Sequence, residues 1–207
     1  MDPANENTSG FANDVNASSG NPFTLTATSS GDSLAHKVVI TPSASVTGDY
    51  TITGTDADGR VQTETLATDT TNAVTSVKFY LTLTSVLAPS GIGANTVDIG
   101  WADEFASKTI VLDTYSIRAA AAQVKVTGTI NFDIEDTLQS PFTVANQGAF
   151  TVSNQADLAW LNDANFTAKT ASLANALAFA GIRAVRVVAN SYSSGAELQV
   201  WIVQPKG

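Results

Sequence analysis

The sequence predicts a mainly β protein: an antiparallel β-sandwich, immunoglobulin-like or jelly-roll-like, with a short helical insertion in its C-terminal half. Three observations predict it. Apolar residues alternate with Thr and Ser over short stretches, the period of a half-buried strand. Clusters of Gly, Pro, Ser and Asp punctuate those stretches at close intervals. Between residues 155 and 180 alanine is abundant, which favours helix.

Residues 1–21 are rich in Asn, Ser, Gly and Ala, with three acids and no base, and read as a polar N-terminal arm. Its larger apolar groups are Phe11 and Val15, the candidate contacts with a partner chain. In a free monomer the arm is expected to be disordered; on a neighbouring subunit Phe11 would anchor it.

From Phe23 the chain alternates, with Phe23, Leu25 and Ala27 on one side and Thr24, Thr26 and Thr28 on the other, which predicts a strand. Further strands are expected at 37–41, 50–55, 60–66, 76–84 and 96–101, all rich in Val, Ile, Thr or aromatics. Asp58-Gly59 supplies a tight turn, so 50–66 reads as a β-hairpin. The composition shifts near Ala106, giving a sandwich domain over 22–105 and a second β-rich domain over 106–207. In the second domain, strands are expected at 109–115, 123–133, 184–191 and 197–204. Helices are expected at 155–162, with Asn154 as N-cap, and at 168–180. Arg183 to Gln204 reads as a closing hairpin through Tyr192-Ser193-Ser194-Gly195, with Trp201, Ile202 and Val203 helping to close the core.

Composition narrows the function classes. The 207 residues are 43% hydrophobic, enough for a packed core, and contain no cysteine, which removes disulfides, thiolate metal sites and a cysteine nucleophile. Charged residues make up 14%, against roughly 25% in ordinary soluble domains, so Thr, Ser, Asn and Gly carry the polar surface. The net charge of −9 leaves no basic stripe to neutralise phosphates, so no nucleic-acid partner is expected. Residues 1–105 hold 12 acids and 3 bases, while 106–207 hold 7 of each, which implies different surroundings for the two halves. No run approaches the roughly 20 apolar residues of a membrane span, and no signal peptide is expected.

Candidate chemistry is sparse. His36, the single histidine, sits at a strand start beside Lys37 and reads as an ordinary surface residue. No serine lies in a G-x-S-x-G elbow, and no glycine-rich phosphate loop is present. Asp56-Ala57-Asp58-Gly59 resembles the opening of a calcium loop, but its twelfth position is Ala67 where Glu is needed, so a plain turn is expected. Asp133, Glu135 and Asp136 gather at what reads as a solvated strand end, with a cation or a glycosidase-like carboxylate pair as the alternatives. Trp101, Trp160 and Trp201 could form a sugar platform but lie in segments expected to pack. The expectation is therefore no catalytic residue, no metal and no cofactor.

Tyr50-Thr51-Ile52-Thr53-Gly54-Thr55-Asp56-Ala57-Asp58-Gly59 followed by Thr63-Glu64-Thr65 resembles a segment of tailed-bacteriophage virion structural proteins. Ile182-Arg183-Ala184-Val185-Arg186-Val187, running through Ser194-Gly195 to Leu198-Gln199-Val200 and Gln204, is similar to the closing segment of the same group. The turn motif also occurs in immunoglobulin-like bacterial surface domains. The resemblance implies a non-enzymatic virion protein assembled in the host cytoplasm. Its expected role is capsid decoration or cement, with a neck or tail accessory protein and a glycan-binding adhesin module as alternatives. Its expected partners are the major capsid protein or other virion proteins, and itself as a homotrimer or other symmetric oligomer.

Overall fold

A computed structural model describes residues 1–112, 119–139, 154–178 and 181–204. The protein is mainly β, built from antiparallel sheets, and divides into two compact units: Ala4–Phe105, and Met1–Pro3 together with Ala106–Gly207.

The first unit contains β1 (Asn7–Val15), β2 (Ala35–Pro42), β3 (Asp49–Thr55), β4 (Val61–Ala67), β5 (Val74–Tyr80), β6 (Thr82–Leu87) and β7 (Val97–Ala106), the last ending at the unit's edge. In one sheet β2 lies between β5 and β7, and β1 pairs with β7; the other has the order β4-β3-β6. Their inward residues share one core, with Val38, Ile40, Ile99 and Trp101 from the first sheet and Tyr50, Ile52, Leu83 and Val86 from the second. That is the two-layer solution for sheets with one apolar face each. The expected continuous strand over 76–84 is instead β5 and β6, which belong to different sheets and break at Leu81.

The polar arm is not separate from this unit. Phe11 and Ala12 are buried, and Phe11 packs on Trp101 with ring centroids 4.9 Å apart. Gly10 lies under the same indole, where a Cβ would stand 2.1 Å from Cζ3. The Trp101 Nε1–H donates to the Asn5 carbonyl at 2.8 Å. One buried aromatic and a strand's worth of pairing thus order a segment whose composition alone reads as disordered. Residues 23–28 keep the expected alternation of burial but form no ladder strand. Their main chain bonds other segments at scattered points, Phe23 N to Val86 O, Thr26 N and Ala27 N to Phe11 O, and Leu83 N to Thr28 O, while Phe23, Leu25 and Ala27 pack on the core.

The second unit contains β8 (Ile110–Val111), β9 (Ala121–Thr127), β10 (Ile130–Thr137), one 3-10 turn (Gln155–Asp157), β11 (Leu161–Asn162), β12 (Leu173–Ala176), β13 (Ala184–Tyr192) and β14 (Glu197–Val203). One sheet has the order β11-β10-β13, with β8 on β13; the other has the order β12-β9-β14. The expected hairpin over 183–204 is a corner: β13 pairs with β10, while β14 pairs with β9. The expected single strand over 123–133 is likewise cut at Gly128, whose φ of +74° turns β9 of one sheet into β10 of the other.

Asn154 caps as expected, accepting from Ala156 N at 3.0 Å, but the helix ends after one turn. The helix expected over 168–180 is replaced, across its described residues, by an irregular segment and β12, whose four residues pair with β9. Sheet pairing overrides the alanine propensity there. Residues 179–180, and 113–115 of the strand expected at 109–115, lie outside the described residues.

Candidate functional site

The acids expected at a solvated strand end are inside the second unit. On β10, period two puts Asp136 on the face of Phe132 and Ile134, both fully buried, and Asp133 and Glu135 on the other. Asp136 is 3% exposed, and its Oδ2 has no hydrogen-bond partner. Burial first, then the charge and hydrogen bonding of Asp163, push its pKa up to about 6.

Asp163 is itself fully buried and organises the segment after β11. Its Oδ1 accepts from Asn165 N at 2.8 Å, its Oδ2 accepts from Ala178 N at 2.6 Å, and its carbonyl accepts from Phe166 N and Thr167 Oγ1. Asp133 accepts from Ala168 N and from Asn190 Nδ2. Glu135 binds Arg186 Nε at 2.6 Å, and that guanidinium also donates to Gln155 Oε1 and stacks 4.6 Å over the Trp160 ring. Asp133 and Glu135 thus tie β10 to β13 and to the segment after β11, and Asp163 fixes that segment internally. The sequence reading missed Asp163, although Asp-x-Asn is the pattern of an Asx turn.

In the first unit His36 is buried, not superficial. Its Nε2 lies 2.7 Å from Asp32 Oδ2, and its ring meets Phe105 edge-on. Burial alone would raise the Asp32 pKa, but hydrogen bonds from His36, Ala4 N–H and Ser30 hold it well below the usual range. The Asp56 carboxylate closes the β3–β4 turn, its Oδ1 accepting from Asp58 N and Arg60 N at 2.9 Å each, and Gly59 takes the positive φ of +81°. Those two amides close the tight turn expected at 56–59.

The tryptophans do not form one platform. Trp101 is in the first core, Trp160 is covered by Arg186, and Trp201 is 47% exposed on β14. Phe11, the expected partner anchor, is spent on its own unit, and Val15 is half-buried against the same core.

Outward-facing apolar groups lie elsewhere. Val61 on β4 and Val77 on β5 are 69% and 78% exposed, and Glu64 joins their strands by accepting from Val77 N and Lys78 N. Trp201 and Val203 (63% exposed) stand on β14, opposite Gln123 and Ala121 of β9. A cleft of about 130 Å³ lined by Asp14, Thr41, Ser43 and Asp98 is smaller than the roughly 300 Å³ at which small-molecule sites begin. Among the described residues, no group of three or more His, Cys, Asp or Glu could hold a metal ion, and no helix is long and apolar enough to cross a membrane.

Compared with protein-family models, curated proteins and solved structures, the chain matches none.

Proposed function

We propose that the chain is a structural protein of a bacteriophage virion, a capsid decoration or cement protein that stabilises the head through protein–protein contacts with the major capsid protein. One observation carries the contact role. The titratable groups most able to do chemistry, Asp32, His36, Asp136 and Asp163, are turned inward, while large apolar side chains stand outward on strands of both units. Charge is spent on holding the fold, and apolar surface is left for partners. The resemblance of residues 50–59 and 182–204 to phage virion segments supports the particle as the setting.

The test is the copy number of the chain in purified particles, measured by quantitative mass spectrometry against the major capsid protein. Hundreds of copies are expected, together with rebinding of the purified chain to heads lacking it. Six or twelve copies would move the protein to the neck or tail, and its absence from particles would end the proposal.

A further inference from the structure

Among the described residues β14 is the edge strand of the sheet β12-β9-β14. In an antiparallel ladder, successive residues turn their main-chain N–H and C=O alternately toward and away from the neighbouring strand. Leu198 marks which residues turn away from β9, because its N–H and C=O bond Met1 instead, Met1 N to Leu198 O at 2.6 Å and Leu198 N to Met1 O at 2.9 Å. By the same alternation Val200 and Ile202 direct their amides and carbonyls outward, and among the described residues no strand pairs with them there. Natural edges are usually guarded by Lys, Pro, a bulge or a cover. From Leu198 to Gln204 this one carries no charged side chain, and β14 pairs with β9 through an unbroken register.

We infer that this edge is a self-association site: β14 pairs antiparallel with β14 of a second copy about a two-fold axis through Trp201. The register follows from the open groups. Val200 and Ile202 of one copy exchange hydrogen bonds with Ile202 and Val200 of the other, four in all, which joins two three-stranded sheets into one of six strands. Trp201 then faces Trp201 of the second copy as a non-hydrogen-bonded pair, the closer of the two antiparallel spacings, and Gln199 faces Val203. The pairing is bounded at both ends. One step further, Leu198 would meet Gln204, but Met1 already occupies the Leu198 main chain.

A second copy fits as the occupant because the edge is its own complement about Trp201 and because charge does not oppose the pairing. Copies of a chain of net charge −9 repel one another, yet residues 106–207 hold equal numbers of acids and bases, so the copies meet on the neutral half. The apolar pair Trp201 and Val203, 47% and 63% exposed on each copy, is covered in the process. The inference does not rest on the virion proposal and would hold for this chain in any setting.

Because the chain has no cysteine, single cysteines read the register directly. Sedimentation equilibrium of the full chain should show a concentration-dependent dimer. Trp201→Glu, which sets two like charges opposite each other at an exposed position, should weaken it at least tenfold with an unchanged circular dichroism spectrum. Under mild oxidation Trp201→Cys should form a disulfide dimer, since the close pair lies within bridging distance. Gln199→Cys should stay reduced alone yet cross-link when mixed with Val203→Cys. A chain that stays monomeric to roughly 100 μM, an assembly indifferent to Trp201→Glu, or cross-linking of Gln199→Cys with itself in place of Val203→Cys overturns the inference.

Discussion

Replacing Asp136 with Asn should stabilise the second unit at neutral pH and leave it nearly unchanged in mild acid. Asp136 sits on the apolar face of β10 with its pKa raised from 3.8 to about 6. Between those values the folded chain keeps a proton that the unfolded chain releases, so stability is highest below about pH 4 and falls as pH rises to about 6. A shift of about two units at 1.36 kcal/mol each makes the loss roughly 3 kcal/mol. Asn copies the protonated form in shape and charge at every pH and can donate to Asp163. The variant should therefore match the parent at pH 4 and exceed it by up to about 3 kcal/mol at pH 7.5, a rise in Tm of roughly 6–12 °C at about 2–4 °C per kcal/mol. Urea unfolding followed by tryptophan fluorescence at pH 4, 5, 6 and 7.5 measures the difference, and Trp160 and Trp201 both report on this unit. Asp32 works with the opposite sign, its contribution being lost as pH falls, but it is present in both chains and cancels in the comparison. A difference that stays constant with pH, or an Asn variant less stable at pH 7.5, would refute the reasoning.

Two further outcomes follow from the first unit. Phe11→Ala removes the aromatic that holds β1 on Trp101 and should cost about 3–5 kcal/mol, with loss of amide-exchange protection over 7–15. Asp56→Ala leaves the Asp58 and Arg60 amides without their acceptor and should cost about 2–3 kcal/mol in denaturant unfolding, whereas Asp56→Asn, which keeps the accepting oxygen, should cost well under half of that.

What the sequence made legible was local. The β3–β4 hairpin could be read because Asp56, Asp58 and Gly59 supply the turn within four residues. Inward and outward alternation could be read even at 23–28, where no ladder forms. The misreadings concern which strand each segment pairs with, a choice made by residues far along the chain. Ser193 to Gly195 have the composition of a hairpin turn, and the same residues make a corner because β9 and β10 claim the flanking strands separately. Alanine at 168–180 favoured helix until β9 offered β12 a partner. Of the site, Asp136 was visible as a residue, but its burial follows from period two counted outward from Phe132, and Asp163 was hidden by its distance in sequence. Phe11 was rightly singled out as an anchor in a polar segment and assigned to the wrong surface, because composition does not tell an intramolecular groove from a neighbour's.

The seam between Met1 and Leu198 ties together two segments that lie far apart in sequence. Those residues are 197 positions apart, and Met1–Pro3 belong to the unit whose other residues begin at Ala106. Residues from Ala106 onward can pair β9 with β14 on their own, but the outward main chain of Leu198 is satisfied only when Met1 reaches it. Closing so long an excursion costs only slightly more entropy than closing a short one, since the cost grows with the logarithm of length. The cost of the seam is therefore set by ordering Met1–Pro3 rather than by the length of chain between its two sides, and deleting those three residues should free the Leu198 N–H and C=O on the outer edge of β14.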